Sequence, residues 1–362
     1  MVGKARLPNR LRMSLAWWRA TCTTHQVLLR GRSSHWPVLG SLIFTFLAAQ
    51  LLALAPTTTH AQAGTYPVKP VRTIVPFAPG SATDQVARAF TAKMAETLGQ
   101  PFVVENRPGA NGMLGADAVA KAAPDGYTIL VGTNSTNAAL KSLMKKLPYD
   151  QETAFAPVAF LGQVPLIVAI HNDMAPRTLK DFVALAKAKP GELNYASAST
   201  SQRVSTEMLM SMAGIQMTLV PYKSSPAAIA DLIGGQVNLF TADFAVMLPQ
   251  VKAGKVRGLA VTSSARSKAI PELPTVNEAL GLKDYELIAF FAIYAPAGTP
   301  PAVVAQLNKA ANAAASDREL LGRFAGLGLE TDPGTPEALA ERTRRETLKW
   351  AKAIKDARIE PE

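Results

Sequence analysis

At 362 residues, with 48% apolar and 18% charged side chains, the chain can supply two domains with cores of their own, and its composition excludes intrinsic disorder. The formal charge of +11 suggests a nucleic-acid partner until it is located along the chain. Seven of the 38 basic residues and none of the 27 acidic ones precede residue 64, so 31 basic face 27 acidic groups in the remainder, and no nucleic-acid partner is expected.

The basic stretch, Lys4 to Arg32, leads into an apolar run from Val38 to Ala55 and then into Ala61-Gln62-Ala63, an A-x-A pattern. This predicts a signal peptide over 1–63, cleaved after Ala63, and hence export to the periplasm. The run is near the length that spans a bilayer, so an uncleaved anchor is the rival reading. Cys22 is the only cysteine, and His25, His35 and His60 share the leader with it. The body is left with His171 alone, which excludes disulfides, Cys/His zinc sites and thiol catalysis; no metal and no cofactor is expected.

From residue 64 onward, short β-rich runs alternate with amphipathic stretches, the pattern of an α/β protein with largely parallel sheets. Strands are predicted at 71–75, 102–105, 128–131, 164–170, 193–196, 217–221, 237–240 and 257–262. Helices are predicted at 83–98, where Val86, Phe90 and Met94 recur at four-residue spacing, at 179–189, and at 301–315 and 336–357. The apolar extended segments 162–170 and 286–296 read as one outgoing and one returning crossing between two lobes with a cleft between them. The lobes are placed at 64–164 plus 288–362, and at 165–287.

Three strand ends carry polar loops beyond the carboxyl edge, where open α/β sheets place ligands. The first contains Phe77, Ala78, Pro79, Gly80, Ser81 and Asp84; a Pro/Gly loop opening a helix aims unpaired backbone N–H groups at a small anion such as a carboxylate. The second offers Thr133, Asn134 and Ser135. The third, Ser197, Ser199, Thr200 and Ser201, faces the first from the other lobe, with Arg203 or Lys223 available as a counter-charge. Asp243, after another strand, is a weaker candidate of the same kind. Each loop also reads as an ordinary polar turn with a helix cap, Asp84 as a helix-start stabiliser and His171 as a solvated loop residue.

Motifs for nucleotide binding, zinc hydrolysis and serine esterase chemistry are missing, and a Ser-His-Asp apparatus would have to be built on His171. No enzyme is expected, although paired carboxylates for hydrolysis leave no mark in sequence spacing.

Several segments carry a family resemblance: 75–84 (Val-Pro-Phe-Ala-Pro-Gly-Ser-Ala-Thr-Asp), 104–110 (Val-Glu-Asn-Arg-Pro-Gly-Ala), 123–128 (Ala-Pro-Asp-Gly-Tyr-Thr), 220–223 (Val-Pro-Tyr-Lys), 231–237 and 272–276. In this order they resemble the Bug family, the extracytoplasmic solute receptors of tripartite tricarboxylate transporters, from about Tyr66 to the C-terminus. The resemblance implies a two-lobed periplasmic binding protein of type II, a Venus flytrap hinged on two crossing strands. It would act as a monomer, close on a small mono- or dicarboxylate held by the loops 77–84, 132–137 and 196–202, and deliver it to membrane permease subunits. A sensor kinase is the alternative partner, and a periplasmic hydrolase the less favoured function. Three departures bear on specificity: Pro79-Gly80-Ser81 replaces Pro-Gly-Gly, Arg203 stands where the family has a histidine, and Phe290 replaces a tryptophan.

Overall fold

The computed structural model describes residues 66–361; the predicted leader, 1–63, lies outside the described residues. The first section opens with β1 (Val71–Val75), α1 (Ala82–Leu98), β2 (Phe102–Asn106), α2 (Met113–Ala120) and β3 (Thr128–Thr133), followed by the short α3 (Leu140–Leu143). The three strands lie parallel in the order β2-β1-β3. Parallel neighbours need a crossover rather than a hairpin, and α1 and α2 supply it. The Ser81 hydroxyl caps α1 at its start, and Gly99, at φ 69°, ends it in the left-handed conformation. The four-residue spacing brings Val86, Phe90 and Met94 to one buried face.

β4 (Phe155–His171) is 17 residues long and serves two ladders. Its first part, 155–165, pairs antiparallel with β9 (Ile288–Pro296); its last part pairs with β7 (Leu239–Asp243) and β8 (Val256–Val261). The strand begins at Phe155 rather than at 164, because pairing with β9 recruits a segment whose Ala and Pro residues carry little strand propensity of their own. Irregular register at Pro157 and Gly162 lets the strand hold a proline and bend.

The second section repeats the device of the first. After α4 (Leu179–Ala188), β5 (Asn194–Ser197), α5 (Thr200–Ala213), β6 (Thr218–Pro221) and α6 (Ser225–Ile233) lead to β7, with parallel order β7-β5-β6. α7 (Phe244–Lys252) follows, then β8 and α8 (Val276–Leu280). The returning β9 inserts between β3 and β4. α9 (Pro301–Ala315), α10 (Arg318–Ala325) and α11 (Pro336–Asp356) complete the chain. α11 packs on β4, on the turn after β3 and on α5, and so touches both sections.

The fold is two-lobed α/β, as expected, but the sheets are mixed rather than largely parallel. The strand that leaves one lobe and the strand that returns run in opposite senses, which makes every pairing of β4, and that of β3 with β9, antiparallel. Phe90, Met94, Leu307 and Phe324 are buried with the first section, and Phe182, Leu209, Leu259 and Tyr285 in a core of the second.

Candidate functional site

β1 ends in Pro76, and the chain turns through 77–80 before α1. Gly80 takes φ 79°, a conformation that costs a residue with a Cβ dearly. The Asp84 carboxylate accepts from the Gly80 amide at 3.0 Å, from Arg88 Nε at 3.0 Å and from Asn106 Nδ2 at 2.9 Å, while Asn106 also donates to the Phe77 carbonyl. Burial alone would raise the pKa of Asp84, but the hydrogen bonds from Arg88, the Gly80 amide and Asn106 outweigh it and hold the carboxyl below its usual range. Asp84 is therefore an ionised post that fixes the loop.

β3 runs into a π-helical turn, Ser135–Ala139. Thr136 Oγ1 accepts from the Thr133 amide at 3.0 Å and donates to Asn137 Oδ1 at 2.6 Å, which sets the turn. Asn134 Nδ2 donates to the Ile288 carbonyl at 3.2 Å, tying the turn to the start of β9.

In the second section, Gln202 organises the opposite rim. Its Oε1 accepts from the Ala198 amide at 2.8 Å, and its Nε2 donates to Ser225 Oγ at 2.9 Å and to Asp243 Oδ2 at 3.2 Å. Burial pushes the Asp243 carboxyl up, against the lowering effect of the Gln202 amide. α5 begins at Ser199 without a side-chain cap, as α7 does at Asp243.

These elements enclose one cavity. Phe77, Ser81, Ala82 and Thr83 meet Ser199, Ser201 and Gln202 across it; Thr133, Asn134, Ser135, Ser225 and Asp243 fill in the wall, and Ala289 and Phe291 of β9 form its base. Its volume is about 20 Å³, room for roughly one water molecule. The rims touch nearby, since a Cβ built on Gly80 would lie 3.4 Å from Pro226 Cγ. The starts of α1, α5, α6 and α7 all reach the cavity, and each brings the partial positive charge of a helix N-terminus. Among the described residues, no lysine, arginine or histidine lines it.

Thr133 Oγ1, Asn134 Oδ1 and Ser135 Oγ of the lining, and the adjacent Thr200 Oγ1, are buried without a hydrogen-bond partner. Each such atom costs about 1–3 kcal/mol unless something fills its valence. The arrangement suits an anion held by amides and hydroxyls.

Of the residues singled out from sequence, Phe77, Ser81, Thr133, Asn134, Ser135, Ser199, Ser201 and Asp243 line the cavity. Pro79 and Gly80 are exposed on the turn, Ala78 accepts the Ser81 amide within it, Ser197 Oγ donates to the Ser199 carbonyl, and Asp84 and Thr200 lie behind the wall. Arg203 lies elsewhere: it is placed one position past Gln202 on α5, and its Nε pairs with Glu207 Oε1 at 2.6 Å beside a separate surface hollow. Gln202 closes the loop 196–202 that the family resemblance implied; Ala289 and Phe291 left no signal in the sequence, because alternation on β9 turns them inward and Phe290 toward Phe160, with ring centroids 6.4 Å apart.

Residues 86–358 match the sequence profile of the tripartite tricarboxylate transporter family receptor. Among solved structures, the chain is similar to Rpa4515 of R. palustris with adipate, at 33% identity and a TM-score of 0.80 over 82% of this chain and 100% of that one. It is similar to the periplasmic binding protein BugD, at 34% identity and a TM-score of 0.78 over 82% and 100% of the two chains. It is likewise similar to MatC of Rhodopseudomonas palustris with bound malate, at 34% identity and a TM-score of 0.77 over 80% and 100%. The chain belongs to the tripartite tricarboxylate transporter receptor family, whose members are solute-binding receptors of the Bug type rather than enzymes.

Proposed function

We propose that this chain is exported by its N-terminal leader to the periplasm, captures a small mono- or dicarboxylate between its lobes, and presents the closed form to the permease of a tripartite tricarboxylate-type transporter. The observation that carries the reading is the group of unpartnered buried hydroxyls, Thr133 Oγ1, Ser135 Oγ and the adjacent Thr200 Oγ1, at a cavity on which four helices begin and which no lysine, arginine or histidine lines among the described residues. A carboxylate there accepts from hydroxyls and helix-start amides and places its charge at the positive ends of the helix dipoles. Adipate and malate in two relatives of similar fold support an acid of this size class.

The lobes, 64–164 plus 288–362 and 165–287, close as hinged bodies about β4 and the segment entering β9. A cavity of about 20 Å³ cannot admit such an acid without the rims parting, so capture requires an open form. Isothermal titration of the processed protein against a carboxylate panel tests this. One acid bound per chain without turnover is the expected result; product formation, or no binding across the panel, overturns the reading.

A further inference from the structure

Among the unpartnered atoms of the residues that line the cavity, one is an acceptor that a carboxylate cannot satisfy. Asn134 is fully buried, and donation from its Nδ2 to the Ile288 carbonyl fixes which way the amide faces, since the flipped amide would set two acceptors against each other. Its Oδ1 is then a buried acceptor without a partner, on a residue that lines the cavity. A carboxylate oxygen is also only an acceptor, so placing one there would oppose two sets of lone pairs. The hydroxyls of Thr133, Ser135, Ser199 and Ser201 can rotate to donate to an acid; the Asn134 oxygen has no such freedom.

Resting on the receptor reading above, we infer that the ligand is a small hydroxycarboxylate whose hydroxyl donates to Asn134 Oδ1 while its carboxylate lies at the helix starts. A hydroxyl fits better than an ammonium. Among the described lining residues the one acid, Asp243, already takes the Gln202 amide on Oδ2, and its burial, which raises its pKa, opposes the charge an ammonium would need, while no lysine, arginine or histidine is among them. A site that hydrogen-bonds a substituent rejects the analogue lacking it, because the buried partner is then left bare. Selection on this atom therefore separates hydroxy acids from their deoxy counterparts.

The test is calorimetry on the processed protein with two matched pairs, malate against succinate and 2-hydroxyglutarate against glutarate. In at least one pair the hydroxy acid is expected to bind roughly ten- to a hundredfold more tightly. Asn134→Leu should shrink the affinity ratio within that pair, whatever it does to the absolute affinity of either acid, and an unchanged ratio overturns the inference; should the variant not fold, the wild-type ratio decides alone. Equal binding within both pairs overturns the inference, with a bridging water as the partner of Oδ1, and leaves the receptor reading standing. Aspartate binding more tightly than malate also overturns it, in favour of an ammonium donor. Failure of every acid to bind fells the receptor reading instead.

Discussion

Thr133 shows how a buried hydroxyl separates function from stability. Its Oγ1 has no partner within the protein, so the fold gains nothing from it. Thr133→Val is expected to melt no lower than the parent by calorimetry, while its affinity for the bound carboxylate falls by about 1 kcal/mol, or roughly fivefold. Arg203 supplies the opposite case. Because its guanidinium pairs with Glu207 outside the cavity, Arg203→Ala should leave carboxylate affinity within about twofold in the same titration. The loop residues of both rims were legible in the sequence from strand-end placement and residue type. The direction of Arg203 was not, because one step along a helix rotates a side chain by about 100° and only the packed helix says which face meets the cavity.

At the level of elements, one side chain joins three strands' ends where the chain passes between the lobes. Thr262 is fully buried after β8; its Oγ1 accepts from the Leu166 amide at 2.8 Å and donates to the Leu287 carbonyl at 2.6 Å. Its own amide donates to Leu166, and its carbonyl accepts from Leu287. Beyond the end of the β4–β9 ladder, Thr262 thus bridges the outgoing β4 and the chain returning toward β9. Thr262→Val keeps the shape and strips two hydrogen bonds from buried backbone groups. It should lower unfolding free energy by about 1–3 kcal/mol in a denaturant titration. Nothing in residues 261–264 distinguishes this threonine in the sequence from any other strand-end hydroxyl; its role appears only when three distant segments meet.

For the whole molecule, closure is the property that matters. The rims meet at Gly80 and Pro226, and the cavity holds little more than a water molecule. On the proposed function, a receptor that admits an acid populates a wider form without it. Small-angle scattering of ligand-free protein should give a radius of gyration larger than that calculated from this closed arrangement, shrinking when a bound acid is added. An unchanged radius would show that the acid enters without lobe movement. The antiparallel β4 and β9 are suited to the motion, because both enter and leave the same sheet and bend at their irregular register rather than at a broken ladder.

The sequence by itself determined the alternation of strands and helices, the paired crossings, and the segments that mark the family, because these depend on residue type, spacing and order along one stretch of chain. Only the tertiary structure decided that four helix starts share one cavity that no described lysine, arginine or histidine lines, that Gln202 rather than Arg203 braces the rim, and that Asn134 presents an unpaired oxygen. These depend on which way side chains point once segments far apart in sequence are brought together, and on which polar atoms remain without partners when packing is complete.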